Sequence, residues 1–334
     1  MPGAILVVGA ALVSWSILLV VSRIILVNLA LDPWLFTFIQ MMAGGLFLML
    51  ASGRTRGVWR TLGEPITWLY GFLRVATAAF FTAALLHTTT ANAAFLAIVS
   101  VPTSVLVVWL VMSRTPRRAE LPGHLIILAG LLLLAASLEG GFRNPALILM
   151  LLSELCVVLS TLIAELHPQN QTDDRRQRAA LTGAMLLASA GAMLAAVFAL
   201  GMLSQAFPGL TWLLPNDLAW IADPTVLLDP ALWVAAILVG TLLRGPSMFL
   251  ALMAIHRVKT TNYLAGMAAL PLTSMLFEAV AAEAGWLPFV SIITWSTGFG
   301  ALMILGSLAV SAAHSQRPAP ARAHVVGTDQ RQPR

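Results

Sequence analysis

Charge is what this chain has least of. Only 10% of its 334 residues are Asp, Glu, Lys or Arg, against about 25% in a typical soluble domain. Hydrophobic residues make up 59%, and the mean hydropathy is +0.89. That excludes a water-soluble globular protein, which would carry large sticky patches with so little polar surface. Cysteine is nearly absent. Cys156 stands alone inside an apolar run, so no intrachain disulfide forms and the residue reads as small packing material. Catalytic and metal-ligand spacings are missing too. There is no His-Glu-x-x-His, no Gly-x-Ser-x-Gly elbow and no P-loop, so neither a metal nor a cofactor is expected. An integral-membrane enzyme and an ATP-driven pump are both disfavoured. Asp173 and Asp174 stand beside Arg175 and Arg176, as in a solvated hairpin. The net charge of +5 does not mark a nucleic-acid binder, because the basic residues sit in short loops between apolar runs.

What remains is long apolar runs. A helix needs about 20 apolar residues to cross a bilayer, and ten segments meet or approach that length. They lie near 4–27, 33–51, 66–86, 91–112, 122–138, 145–166, 179–203, 231–254, 261–282 and 289–313. The first is longer than the roughly 7–15 apolar residues of a secretion signal and lacks a basic start, so it reads as a span. Pro33, Pro122, Pro145 and Pro230 mark helix starts, where a missing N–H costs little. With the N-terminus inside, the basic residues cluster in the cytoplasmic loops, around Arg54, Arg114, Arg175 and Arg257, and in the tail after His314. Arg143 is the one basic residue of an outside loop. This bias places both termini in the cytoplasm of a multi-pass protein of the cell (inner) membrane.

A repeated skeleton gives the spans an internal order. Arg74, His87 and Pro102 recur half a chain later as Arg244, His256 and Pro271, with the same spacing from His to Pro. Five spans per half is odd, so the halves face opposite ways, as in many secondary transporters. The expected fold is therefore all-α, with ten transmembrane helices in two inverted five-helix repeats, 1–138 and 145–313. An outside loop at 204–229 carries Trp212 and Trp220 at headgroup level. A disordered cytoplasmic tail follows at 314–334.

The segment MFLALMAIHRVKTTNYLAGMAALPLTSMLFEAVAAEAGW, followed by WSTGFGALMILGSLAV, resembles the EamA-type domain family of the drug/metabolite transporter superfamily. That family has ten helices in two inverted halves. The fourth helix of each half carries a central Pro, then an acidic residue about a dozen positions on, then a glycine-rich fifth helix. Pro271, Glu283, Gly298, Gly300 and Gly306 fit that pattern. Pro102, Gly123 and Gly130 fit it in the first half, and Trp15 and Arg23 fit the first helix. Arg114 stands where the first half should have its acid, and the 204–229 loop is unusual for the family. The resemblance implies a transporter and leaves the substrate unnamed.

Ionisable groups inside spans are costly, about 2.5–3.5 kcal/mol even on the lenient insertion scale, and therefore mark candidate sites. Arg244 and Arg74, being repeat-related, are expected to face one central cavity and bind substrate. The competing reading is a structural ion pair with Glu154 or Glu278. Trp15 and Gln40 are expected to line the same cavity. Glu154 and Glu278 are candidates for carrying a proton or for ion pairing. Arg23 is expected to snorkel outward. Pro102, Pro271 and Pro246 are expected helix hinges, with Thr103, Ser104, Thr273 and Ser274 repairing freed backbone groups. His87, His256, Asn92 and Asn262 are expected at helix ends, the two asparagines as caps.

These residues lead to a secondary transporter, an exporter or exchanger, of a small organic metabolite that is anionic or zwitterionic, working by alternating access. Its partners are that substrate and the lipid bilayer, with proton coupling and a homodimer both permitted. The alternative is a membrane scaffold or assembly protein that has kept a transporter fold, with the 204–229 loop as its docking face.

Overall fold

The computed structural model describes residues 2–53, 61–113, 115, 117–167, 174–207, 224–288 and 294–315. Among them there is helix and no strand, and ten helices are long and apolar enough to cross a membrane. They are α1 (Gly3–Leu29), α2 (Pro33–Ser52), α3 (Pro65–Ala84), α4 (Thr90–Met112), α5 (Arg118–Ser137), α6 (Pro145–Leu166), α7 (Arg175–Ala206), α8 (Pro230–Thr260), α9 (Asn262–Glu283) and α10 (Trp295–Ala313). The chain is a multi-pass membrane protein. The 208–223 part of the expected loop, with both its tryptophans, and the 316–334 part of the tail lie outside the described residues.

The helix starts follow one local rule. Asp32, Asn144 and Asp229 each precede a proline at the first turn, and each side chain accepts a backbone N–H of that turn. The capping oxygen satisfies an orphan donor, while the proline has no N–H to orphan. Thr89 caps α4 by accepting the N–H of Asn92. Asn92 is thus the residue being capped, and the expectation that it is the cap is corrected.

Asp32 is partly desolvated, and burial raises its carboxyl to about 6 from 3.8 against the opposing hydrogen bonds from Leu35 and Trp34. The folded value exceeds the unfolded one. Its stabilising effect is therefore complete below about pH 4 and lost as pH rises through about 6. Asp32→Asn keeps the cap and should flatten that part of a pH–stability curve recorded in detergent.

Packing pairs α2 with α7, α3 with α6, α5 with α10, α4 with α9, and α1 with both α8 and α9. Between α2 and α7 the backbones nearly touch. A Cβ on Gly45 would lie 2.6 Å from the Gly183 carbonyl oxygen, and one on Gly183 would lie 2.5 Å from that of Gly45. Small residues let membrane helices approach this closely. Gly183→Ala should therefore cost about 1–3 kcal/mol through forced separation, seen as a lower detergent melting temperature. Gly191 has open space instead, with Met42 Cε at 3.8 Å, so Gly191→Ala serves as the neutral control.

Three helices depart from α geometry close to a proline. In α4 a 3₁₀ turn at Ala97–Val99 precedes Pro102. The start of α9 ends in a turn at Ala268 and Ala269, just before Pro271. In α8 a π-helical segment at Gly240–Arg244 runs into Pro246. A π-turn shifts the hydrogen-bond register by one residue, and such turns are frequent at functional sites. The α8–α9 junction carries a strain no pattern announced. Lys259 has φ 67° and ψ 165°, a conformation nearly confined to glycine and costing about 1–3 kcal/mol.

Candidate functional site

Two arginines meet at one cavity in the middle of the bundle. Arg74 projects from the middle of α3, and Arg244 from the π-segment of α8. Each is only 2% exposed. The cavity encloses about 80 Å³, enough for several water molecules. Trp15 and Glu154 line it with both arginines, as do Thr77 and Thr82 of α3, Ser100 of α4 and Tyr263 of α9.

Each guanidinium is held by neutral groups. Arg244 Nε donates to Gln40 Oε1 at 2.9 Å, and its guanidinium lies over the Trp15 ring at 5.4 Å. Arg74 Nε donates to the Tyr70 hydroxyl at 3.2 Å, and one terminal nitrogen donates to Thr161 Oγ1 at 3.4 Å. Its guanidinium also lies 5.4 Å from the centre of the Tyr70 ring. A cation over an aromatic face is attracted by the ring quadrupole, by about 2 kcal/mol when desolvated. Among the described residues, neither arginine has a carboxylate in salt-bridge contact; the ion pair there is Arg23 with Glu278. The rival reading of Arg74 and Arg244 as halves of structural ion pairs is not what the fold displays.

Glu154 is 5% exposed and faces Ser100, whose hydroxyl donates to the Ala97 carbonyl. The wall thus holds two fixed cations and one carboxyl that no cation touches. The indole Nε1 of Trp15 is buried with no partner in good geometry, although the Tyr263 hydroxyl lies near it. A polar atom left this way suits a site awaiting a ligand.

Other expected residues lie elsewhere. Gln40 is fully buried behind Arg244 and orients it, with its Nε2 3.4 Å from Ser22 Oγ; it does not line the cavity. Glu278 also stands away from the cavity. It pairs with Arg23 and accepts the backbone N–H groups of Thr90 and Ala91, so Arg23 does not snorkel. Pro102, Pro246 and Pro271 do not line the wall, yet the breaks before them do, through Ala97, Ile98, Arg244, Ala268 and Leu270. Tyr70, Thr161 and Tyr263 were not anticipated. One signal could have found two of them: the chain has 2 tyrosines, and both stand at this site.

No family model matches the chain, and no curated protein matches it. Among solved structures, one described only as a crystal structure of a protein superposes with a TM-score of 0.60 at 19% identity, covering 95% of this chain and 100% of the other. At that identity the likeness concerns the fold alone.

Proposed function

We propose that the chain is a secondary transporter of a small zwitterionic or anionic metabolite, an exporter or exchanger working by alternating access. The observation that carries this reading is the pair of buried arginines without carboxylate partners at one intramembrane cavity. Holding two such charges is costly unless a ligand completes them, and guanidinium forks suit a carboxylate. Glu154 in the same wall favours a zwitterion. The substrate carboxylate meets Arg74 and Arg244, and its ammonium meets Glu154. Glu154 carries a proton in the empty site and releases it to the water of the cavity as the ammonium binds in its place, so substrate and proton exchange across the membrane.

The architecture we propose is the EamA-type one, two inverted five-helix halves with both termini in the cytoplasm. The helix pairings support it. Exchanging each helix with the one five places later turns α2–α7, α4–α9 and α5–α10 into themselves. It turns α1–α8 into α6–α3 and α1–α9 into α6–α4, all of them contacts of this fold. The breaks before Pro102 and Pro271 correspond as well. Counterflow in proteoliposomes loaded with a panel of amino acids, matched 2-hydroxy acids and matched amines tests the function. Exchange of amino acids above the other two classes is the expected result, and no exchange of any class sinks the reading.

A further inference from the structure

The cavity lies between two carboxylate clamps, one toward each end of the bundle. At the end where α4 begins, Glu278 of α9 accepts the backbone N–H of Thr90 and of Ala91, both at 3.2 Å, and pairs with Arg23 of α1. At the opposite end, Glu165 of α6 accepts the backbone N–H of Thr260 at 2.9 Å, at the junction of α8 with the start of α9. The Thr260 hydroxyl donates to the Thr161 carbonyl at 3.2 Å. Thr260 and Glu278 are eighteen positions apart, most of them helical, roughly 27 Å at the helical rise.

The clamped helices share a second property. Just beyond its clamped start, each is interrupted where it lines the cavity, at Ala97–Val99 in α4 and at Ala268 and Ala269 in α9. Each therefore presents a short stretch, Thr90–Leu96 or Asn262–Met267, held by a carboxylate at one end and broken at the other. We infer that these stretches are the two gates of the cavity, and that Glu278 and Glu165 are the latches that release them at opposite faces of the membrane. The inference rests on the transporter reading given above.

The chemistry suits a latch. A carboxylate on backbone amides at a helix start is favoured by charge and by the helix dipole, yet it lets go by one side-chain rotation. The two latches use different carboxylates at opposite ends of α9, so one can open while the other holds. At the second end the release is prepared, because the adjacent Lys259 backbone is strained and the two bonds from Thr260 to α6 tie the junction down. Thr161 also joins this latch to the site. Arg74 donates to its hydroxyl and Thr260 to its carbonyl, so a substrate drawing Arg74 away acts on the same turn of α6.

The test needs no substrate. In a Cys156→Ser background, Thr82→Cys and Leu264→Cys report cavity access from the two ends. Labelling is followed in oriented vesicles with a membrane-impermeant maleimide added to either face. Glu278→Gln should speed labelling of Thr82→Cys, and only from the face where α4 begins, by roughly tenfold, the weight of one charge-assisted hydrogen bond. Glu165→Gln should do the same for Leu264→Cys from the other face. Arg23→Gln and Thr260→Val remove one support from each latch and should give smaller increases of the same sidedness. They decide the matter if either Glu variant fails to insert. Increases on the same face for both latches, or unchanged labelling in folded variants, overturn the inference. Flux lost without a labelling change overturns the latches and leaves the transporter reading standing. Face-specific labelling with no exchange of any substrate class upholds the latches and removes the transporter.

Discussion

Arg244→Gln should abolish exchange of carboxylate-bearing substrates while the protein still folds and inserts. The guanidinium is 2% exposed, stands over Trp15 and is oriented by Gln40 from behind. Its remaining donors are the part of the fork available to a ligand. A glutamine can keep the contact with Gln40, so the fold loses little. A ligand carboxylate loses a bidentate, charge-assisted pair, on the order of 3 kcal/mol or more than a hundredfold in affinity. Arg244→Lys keeps the charge without the planar fork and should recover only part of the rate. Gln40→Leu should act in the same direction more weakly, because it frees the guanidinium to rotate without removing it. The measurement is initial counterflow rate at matched reconstituted protein. A normal rate in Arg244→Gln moves the site elsewhere. Failure to fold that Glu154→Gln rescues makes Arg244 a structural counter-charge.

Some of this was legible in the sequence and some was not, for a physical reason. The ten spans follow from hydropathy, since a bilayer tolerates little else over twenty residues. Arg74, Arg244 and Glu154 stand out because a charge in such a run is expensive. Their meeting at one cavity is a property of how helices pack, and local pattern does not carry it. Gln40 looked like a lining residue because it is polar in an apolar helix; packing placed it one layer back, as the support of Arg244. Arg23 looked free to reach the interface, but its partner Glu278 lies 255 residues away in the chain. The π-turn ending at Arg244 and the strained Lys259 backbone are register effects, which residue type alone does not encode. The short capping rule of Asp or Asn before Pro was written plainly in the chain, and three helices begin by it.

Glu154→Gln should reverse the ranking of substrates. In the native wall, the two guanidiniums demand one anionic group, and Glu154 offers a place for one cation. An amino acid fills both, whereas a 2-hydroxy acid of the same size leaves Glu154 facing a hydroxyl. In the variant the cation partner is gone, but the shape and a hydrogen-bond donor remain. The ammonium of an amino acid then enters a desolvated site without its counter-charge, a loss of several kcal/mol. The 2-hydroxy acid loses nothing comparable, because the glutamine amide takes the place of the protonated carboxyl that its hydroxyl faces in the native wall. The ratio of 2-hydroxy-acid to amino-acid counterflow should therefore rise by at least about tenfold. The same variant should carry out exchange that a pH gradient no longer drives, because the group that trades a proton for the ammonium is absent. An imposed gradient, acid on one side, that accumulates an amino acid in native vesicles and fails to do so in Glu154→Gln vesicles is the expected pair of results. If the gradient drives both proteins equally, the proton travels by another route. If the ranking does not move, the ammonium does not sit at Glu154, and the two arginines alone define the substrate.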